Sequence, residues 1–461
     1  MIVEQIYTEC LSQGSYYIES EGEAAVIDPL REVESYIKKA TRGKAKIKYV
    51  FETHFHADFV SGHLSLSKKT GAPIIFGPNA NPSYESVVAA DGEKFRIGKI
   101  SLELIHTPGH TMESSCYLLR DENDKEVAVF TGDTLFLGDV GRPDLAQGNK
   151  NMTKKYLAGQ LFDSIRSKLM PLPDNITIYP AHGAGSACGK NMMDLTSDSL
   201  GNQKIVNYAL RKDMTKEEFI NEVTEGLVSP PNYFPSNVEL NKKGYEDVSS
   251  IIKKSLNPIN IDEFNSLREQ TDILILDVRS KSSFSKGHIP GSLFIGLEGM
   301  FAPWAGTLIG NIKQKIIIVS PKGREKEAIS RLSRVGFDNV IGFLDGGYEK
   351  WSISCEKIKK VNSISAEEFI AEMNSLKKRN IYDVRSEDEF KIGHFPGAKN
   401  VPLNKIDKYI GELEKKSPLY IYCKGGYRSV IAGSIIDKGR DLKLINIEGG
   451  YDEIEKFNFF K

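Results

Sequence analysis

Apolar positions in this chain fall in short runs whose spacing predicts alternating strands and helices rather than long helical arrays. Met1-Ile2-Val3-Glu4-Gln5-Ile6-Tyr7 alternates with the two-residue period of a strand, and Ser115-Cys116-Tyr117-Leu118-Leu119 reads as another. From residue 1 to about 190, strand-like runs alternate with loops and two helical patterns, near Glu32–Ala40 and Gly159–Leu169, so a layered α/β sandwich is expected. Residues 196–255 carry helical periodicity. It is broken by Ser229-Pro230-Pro231-Asn232-Tyr233-Phe234-Pro235, a proline-rich loop placed to border an active-site mouth. Further on, Ile273-Leu274-Ile275-Leu276, Ile316-Ile317-Ile318-Val319 and Leu419-Tyr420-Ile421-Tyr422 read as buried strands.

Those runs of four are far below the roughly 20 apolar residues of a membrane-spanning helix, and the first residues lack a signal-peptide pattern. A cytoplasmic protein without a membrane role is expected. The 461 residues suggest roughly two to four domains. A formal net charge of -1 and the lack of Lys/Arg blocks give no support to nucleic-acid binding. The five cysteines, Cys10, Cys116, Cys188, Cys355 and Cys423, are odd in number and scattered, which favours free thiols over a disulfide framework.

Chemistry enters at Thr53-His54-Phe55-His56-Ala57-Asp58-Phe59, where two imidazoles and a carboxylate follow the apolar run Tyr49-Val50-Phe51. Residues two apart at a strand exit point the same way, so His54 and His56 can address one point while Asp58 follows as the backbone turns. Three later loops also place a His or Asp directly after apolar residues: Thr107-Pro108-Gly109-His110-Thr111, Thr131-Gly132-Asp133-Thr134-Leu135-Phe136 and Tyr179-Pro180-Ala181-His182-Gly183. Four such loops in one half of the chain point to a metal site. Together the motifs resemble the metallo-β-lactamase superfamily over about residues 1–245, which implies an αββα fold with metal held between the edges of two sheets.

After Asn257-Pro258 the chain repeats itself. Asp277-Val278-Arg279-Ser280 with Gly287-His288-Ile289-Pro290-Gly291 returns as Asp383-Val384-Arg385-Ser386 with Gly393-His394-Phe395-Pro396-Gly397, and Gly346-Gly347-Tyr348 returns as Gly449-Gly450-Tyr451. The tandem copies each read as a parallel α/β unit and resemble the rhodanese family. The expected domains are 1–256, 257–357 and 358–461. In the second copy the strand Leu419–Tyr422 delivers Cys423-Lys424-Gly425-Gly426-Tyr427-Arg428-Ser429 into a loop opening a helix. Backbone N–H groups there can form an anion nest, and Arg428 and Lys424 add positive charge, so a thiolate able to attack a sulfane sulfur is expected at Cys423. Gly425, Gly426 and Tyr427 are expected to bind substrate with Lys424. In the first copy the equivalent loop is Ser320-Pro321-Lys322-Gly323-Arg324-Glu325, which lacks a thiol, so that copy is expected to be inactive in sulfur transfer. Its stretch Met300–Gly306 is apolar enough to dock on a neighbour or to pack in the core.

The resemblance extends to fusions of a persulfide dioxygenase with rhodanese domains, the first of them lacking its cysteine. Carried over by position, it implies one Fe(II) per chain held by His54, His110 and Asp133, a facial set of two imidazoles and one carboxylate. His56, Asp58 and His182 are then expected to hydrogen-bond the ligands or waters and tune the metal. Persulfides of coenzyme A, bacillithiol, cysteine or glutathione, with O2 and sulfite, are the implied partners, giving sulfite at the iron and thiosulfate at Cys423. Arg142 and Asp144 are candidates for shaping the thiol pocket, with a surface ion pair as the alternative. Cys188 is a candidate accessory thiol, and a homo-oligomer is expected. Dinuclear hydrolases of the glyoxalase II group carry a further His where this chain has Phe59. A dinuclear zinc thioester hydrolase with an appended sulfurtransferase stays open as an alternative, as does a non-enzymatic sulfur carrier or redox sensor.

Overall fold

Burial on both faces decides the layering of the N-terminal half. Along the strand Gln13–Ser20, Tyr16 and Ile18 enter one apolar cluster while Tyr17 enters another, as the two-residue side-chain period requires. A computed structural model describes residues 1–145, 152–354, 357–375, 380–438 and 442–457. They form two units: Met1–Ile251 with Leu332–Phe337, and Ile252–Arg331 with Asp338–Lys461.

In the first unit, one six-stranded sheet runs in the order Ile2–Thr8, Gln13–Ser20, Glu23–Ile27, Lys46–Phe51, Ile74–Phe76, Val87–Val88. The other runs Asp198–Ser199, Thr177–Pro180, Glu126–Gly132, Ser115–Arg120, Ile100–His106, Lys94–Ile97. Phe51, Phe95, Leu102, Tyr117 and Phe130 are among the side chains packed between the sheets. The outer faces are covered by Tyr36 and Leu66 from helices on one side and by Leu157–Ser164 residues such as Leu161 on the other. That is the αββα sandwich expected from the sequence.

The helical pattern near Glu32 is the helix Glu34–Gly43, and the one near Gly159 is Lys154–Ser164 continued by a wide turn, Ile165–Leu169. A further helix, His63–Thr70, directly follows the His-rich motif. Its Ser65, Ser67, Lys68 and Lys69 hid the apolar face carried by Leu66. Residues 196–255 hold four α-helices, Leu200–Val206, Lys216–Thr224, Phe234–Lys243 and Val248–Ser255, with the end of the proline-rich stretch forming the start of the third. Among the described residues no helix is long and apolar enough to cross a membrane.

The second unit holds two five-stranded parallel sheets of one topology. Strands Pro258–Ile259, Val340–Leu344, Lys315–Val319, Ile273–Asp277 and Leu293–Phe294 are matched in order by Asn362–Ile364, Leu444–Ile447, Leu419–Tyr422, Ile381–Asp383 and Lys399–Asn400. The repeated signatures build the same brace twice. Arg279 bonds Asp277 at 2.6 Å and the Gly287 carbonyl, and lies 3.9 Å from the Tyr348 ring centre. Arg385 does the same with Asp383, Gly393 and Tyr451, again at 2.6 Å and 3.9 Å. Phe284 and Phe294 of the first repeat share an apolar cluster with Val430, Ile431 and Ile435 of the second. The stretch Met300–Gly306 begins the helix Phe301–Ile309, whose Phe301, Ala302, Ala305 and Gly306 are buried within this unit. Cys355 lies outside the described residues; Cys10, Cys116, Cys188 and Cys423 are all free thiols.

Candidate metal centre and nucleophile loop

Parallel strands send their ligand loops out at one edge. Glu23–Ile27 pairs parallel with Lys46–Phe51, and Glu126–Gly132 with Thr177–Pro180, so the loops bearing Asp28, His54–Asp58, Asp133 and His182 emerge together. One potential ligand atom from each of His54, His110 and Asp133 falls within a cluster no wider than 4.8 Å, and all three residues are buried. His110 Nε2 stands 3.4 Å and His54 Nε2 3.8 Å from Asp133 Oδ2.

Hydrogen bonding fixes which ring nitrogens are open. Thr53 donates its hydroxyl proton to Asp28 Oδ2 at 2.8 Å, so at 2.9 Å it can only accept from His54 Nδ1. His110 Nδ1 donates to the Arg142 carbonyl at 2.8 Å. Both Nε2 lone pairs therefore face the common point, where Asp133 Oδ2 also has no hydrogen-bond partner. A buried carboxylate oxygen without a hydrogen bond and two ring nitrogens converging on one place fit a cation. Burial, reinforced by neighbouring His56, holds the His54 imidazole well below its ordinary pKa, the neutral state a ligand needs.

His182 is used differently. Its Nδ1 donates to Asp133 Oδ1 at 2.7 Å and its Nε2 to Asp58 Oδ2 at 2.8 Å. Burial alone would lower its pKa, but Asp133 and Asp58 outweigh that and hold it well above the usual value. Burial likewise would raise Asp133, and His182 instead keeps it well below the carboxylate range. The result is a ring held between two carboxylates that favour its protonated form.

His56 turns away from the shared point. Its Nε2 lies 3.1 Å from Asp28 Oδ1 and 3.7 Å from Glu52 Oε2, without completing a hydrogen bond to either, and Phe59 packs on its ring at 4.4 Å. Both Asp28 oxygens accept from Thr53, and Glu52 Oε1 accepts from Ser61 at 2.6 Å. Burial and the charge of Asp28 push the Glu52 carboxyl well above its ordinary pKa. This cluster braces His54 through Thr53. Sequence reading missed Asp28, Glu52 and Thr53 as supports; the position of Thr53 beside His54 was their only local signal.

Cys188 is buried, and a ligand-type atom from each of Asp58, His182 and Cys188 lies within a second 4.8 Å cluster. Burial raises its thiol pKa well above normal, and Asp133 and Asp58 add to the effect. Tyr233, from the proline-rich loop, is buried too, its pKa raised by burial and by the charge of Asp58. The Arg142–Asp144 pair, joined at 2.7 and 2.8 Å, has a buried arginine and a half-buried aspartate. Arg142 also donates to the Ala187 carbonyl at 3.1 Å and to that of Val228 at 2.6 Å, so it ties the Cys188 loop to the edge of the proline-rich loop.

In the second unit, the fully buried strand Leu419–Tyr422 hands Cys423 to a loop ending at Gly426, whose φ of 85° is readily adopted by glycine. The helix Tyr427–Asp437 starts there, and Gly426 N–H points at Cys423 Sγ from 3.1 Å. Ser429 Oγ lies 3.6 Å from that sulfur and bonds Asn446 Oδ1 at 2.6 Å. Arg428 is held by Glu389 through two bonds of 2.6 and 2.7 Å, while Lys424 and Gly425 are exposed. The final Gly449-Gly450-Tyr451 signature closes this loop. Tyr451 N–H bonds the Cys423 carbonyl at 2.7 Å, and a Cβ on Gly450 would sit 2.2 Å from the same oxygen. Glu389, Ser429 and Asn446 were not singled out from sequence, because strand and helix pairing alone brings them to the thiol.

The metallo-beta-lactamase superfamily model matches residues 9–182, and the rhodanese-like domain model matches 260–354 and 365–457. The chain belongs to the metallo-β-lactamase superfamily. More specifically, it joins a domain of that fold to two rhodanese-like domains. It is 30% identical over 194 residues to hydroxyacylglutathione hydrolase GloC of Haemophilus influenzae, covering 37% of this chain and 85% of that one. It is 29% identical over 210 residues to mitochondrial persulfide dioxygenase ETHE1 of Mus musculus, covering 45% and 73% respectively. Among solved structures, a metallo-beta-lactamase from Staphylococcus aureus aligns with a TM-score of 0.66 and 29% identity, over 75% of this chain and 98% of that chain. Matches to the first curated relatives span 59% and 66% of those proteins' lengths. A metal-binding site of the superfamily and a rhodanese sulfurtransferase loop thus stand on one polypeptide.

Proposed function

We propose that the His54–His110–Asp133 centre binds a single Fe(II) and oxidises a low-molecular-weight thiol persulfide, and that Cys423 completes the reaction by sulfur transfer. Per turnover the first site would convert R–S–SH, O2 and water to R–SH, sulfite and two protons. The second would take the sulfane sulfur of another persulfide and pass it to sulfite, giving thiosulfate and R–SH. A ferrous ion would supply the electronic means for dioxygen to react with a sulfur nucleophile.

The observation that carries this reading is the way the remaining imidazoles are occupied. Both nitrogens of His182 are bonded to carboxylates, and His56 faces Asp28 and Glu52, which leaves one ring nitrogen each of His54 and His110 and one carboxylate oxygen for one ion. That set leaves coordination positions open for substrate and dioxygen. Thr53 and the Arg142 carbonyl orient the two rings, His182 holds its proton against Asp133 and Asp58, and Cys188 remains a buried thiol beside them. The persulfide dioxygenase relative and the fused sulfurtransferase loop support a sulfur substrate. Coenzyme A, bacillithiol, cysteine and glutathione remain the candidate thiols.

The second reading is a dinuclear zinc thioester hydrolase. It is favoured by the hydrolase relatives and by the Asp58–His182–Cys188 cluster. Metal analysis of anaerobically purified protein, with oxygen uptake on adding glutathione persulfide, separates the two. One iron per chain and oxygen consumption are expected; two zinc ions and no uptake would overturn the dioxygenase. His54→Asn and Asp133→Asn are expected to abolish iron retention, whereas His56→Asn should keep most of it.

A further inference from the structure

The thiol-less repeat builds part of the reacting pocket. A cavity of about 550 Å³ opens at Cys423, and its wall combines Tyr427 and Arg428 of the second repeat with Glu298, Met300 and Trp304 of the first. The junction is pinned rather than casual. Tyr427 Oη donates to the Gly296 carbonyl at 3.0 Å, Lys281 Nζ to the Gly425 carbonyl at 3.3 Å, and Phe294 N–H to Ser434 Oγ at 3.0 Å. On its other side, the same segment is held by Arg331, which donates to the Gly299 carbonyl at 3.0 Å.

The two charged side chains that line this cavity are already engaged. Arg428 is bidentate to Glu389, and Glu298 is bonded by Arg324 at 2.7 Å. What the first repeat offers without a partner in charge is apolar: the half-buried indole of Trp304 and thioether of Met300. Such a wall recognises the carbon-bearing portion of a ligand far better than a small inorganic anion.

We propose that Trp304 and Met300 bind the organic portion of the persulfide that loads Cys423, and so set the preference of the site for organic persulfides over thiosulfate. The proposal rests on Cys423 being the sulfur-accepting nucleophile. In the loading step the Cys423 thiolate attacks the outer sulfur of R–S–SH. A new S–S bond forms at Cys423, the original S–S bond breaks, and its electron pair leaves on R–S⁻. The sulfane sulfur and its proton move together, with no external oxidant or reductant.

The test uses the full-length protein and follows persulfide formation at Cys423 by mass spectrometry, with glutathione persulfide and with thiosulfate as donors. Trp304→Ala is expected to slow loading by glutathione persulfide about tenfold, the loss of one aromatic contact, while thiosulfate loading stays within about twofold. Trp304→Phe should retain most of the preference. Equal effects on both donors, or none on either, would overturn the proposal. Should Trp304→Ala fail to fold, a second measurement decides. The chain has two tryptophans, so Trp351→Phe leaves Trp304 as its single indole, and free glutathione, an unreactive probe, should shift its emission saturably. Emission indifferent to glutathione would count against the wall. If wild-type Cys423 took sulfur from neither donor, the sulfurtransferase reading itself would fall instead.

Discussion

The two rhodanese-like repeats share one sheet order and one Asp–Arg–Tyr brace, yet one backbone N–H is put to different use in each. In the second repeat Gly426 N–H faces Cys423 Sγ at 3.1 Å. In the first, the matching Gly323 N–H, also in a positive-φ glycine, donates to Glu325 Oε1 at 3.1 Å. A carboxylate from the loop itself occupies the donor that would otherwise serve a thiolate, while Ser320 turns its hydroxyl to the Pro321 carbonyl at 3.0 Å. The first repeat therefore differs twice at this loop, by the missing sulfur and by a resident carboxylate. The repeated signatures specify the scaffold, and the two copies part company in one loop.

The largest effect that would test this contrast is Cys423→Ser, expected to lower thiosulfate formation by about 10³-fold or more while oxygen uptake persists and sulfite accumulates. Loss of oxygen uptake in that variant would break the division of labour. Next come the braces. Arg279→Met and Arg385→Met each leave a buried carboxylate unpaired, at Asp277 and Asp383, and each is expected to cost about 3–5 kcal/mol in calorimetric or urea unfolding. Markedly unequal costs would mean the two scaffolds are less alike than their geometry.

A subtler test restores the missing chemistry. Ser320→Cys alone should remain unloaded by persulfide, because Glu325 still holds Gly323 N–H, whereas Ser320→Cys with Glu325→Arg should acquire measurable sulfur by mass spectrometry. Loading of the single variant would show that the resident carboxylate is no barrier. The smallest effect concerns acid. Arg428 and a backbone bond from Ser386 hold Glu389 down to about 2 from its ordinary 4.5, so the pair's contribution is complete above pH 4.5 and is lost as pH falls toward 2. Because the pair is partly exposed, Glu389→Gln should remove no more than about 1 kcal/mol of acid-dependent stability, read from unfolding midpoints across that range.

Much of this was legible beforehand for a physical reason. Side chains that directly follow an apolar run, as those of His54, Asp133 and His182 do, inherit their placement from strand ends. Tandem landmarks likewise reveal a duplicated scaffold. What stayed hidden depends on partners distant in sequence. The turn of His56 toward Asp28 is set by a neighbouring strand, the helix at His63 by burial of one face of a polar segment, and the wall at Trp304 by packing between repeats. Sequence reading framed Met300–Gly306 as docking on a neighbour or packing in the core; its helix does pack within its own unit, but it also borders the thiol.

The apolar cluster in which Phe284 and Phe294 meet Val430, Ile431 and Ile435 makes neither repeat a free-standing module. Removing the first would strip the second of its packing partner and bring aliphatic side chains into water, so a truncation at the repeat boundary trades a covered seam for an exposed apolar face.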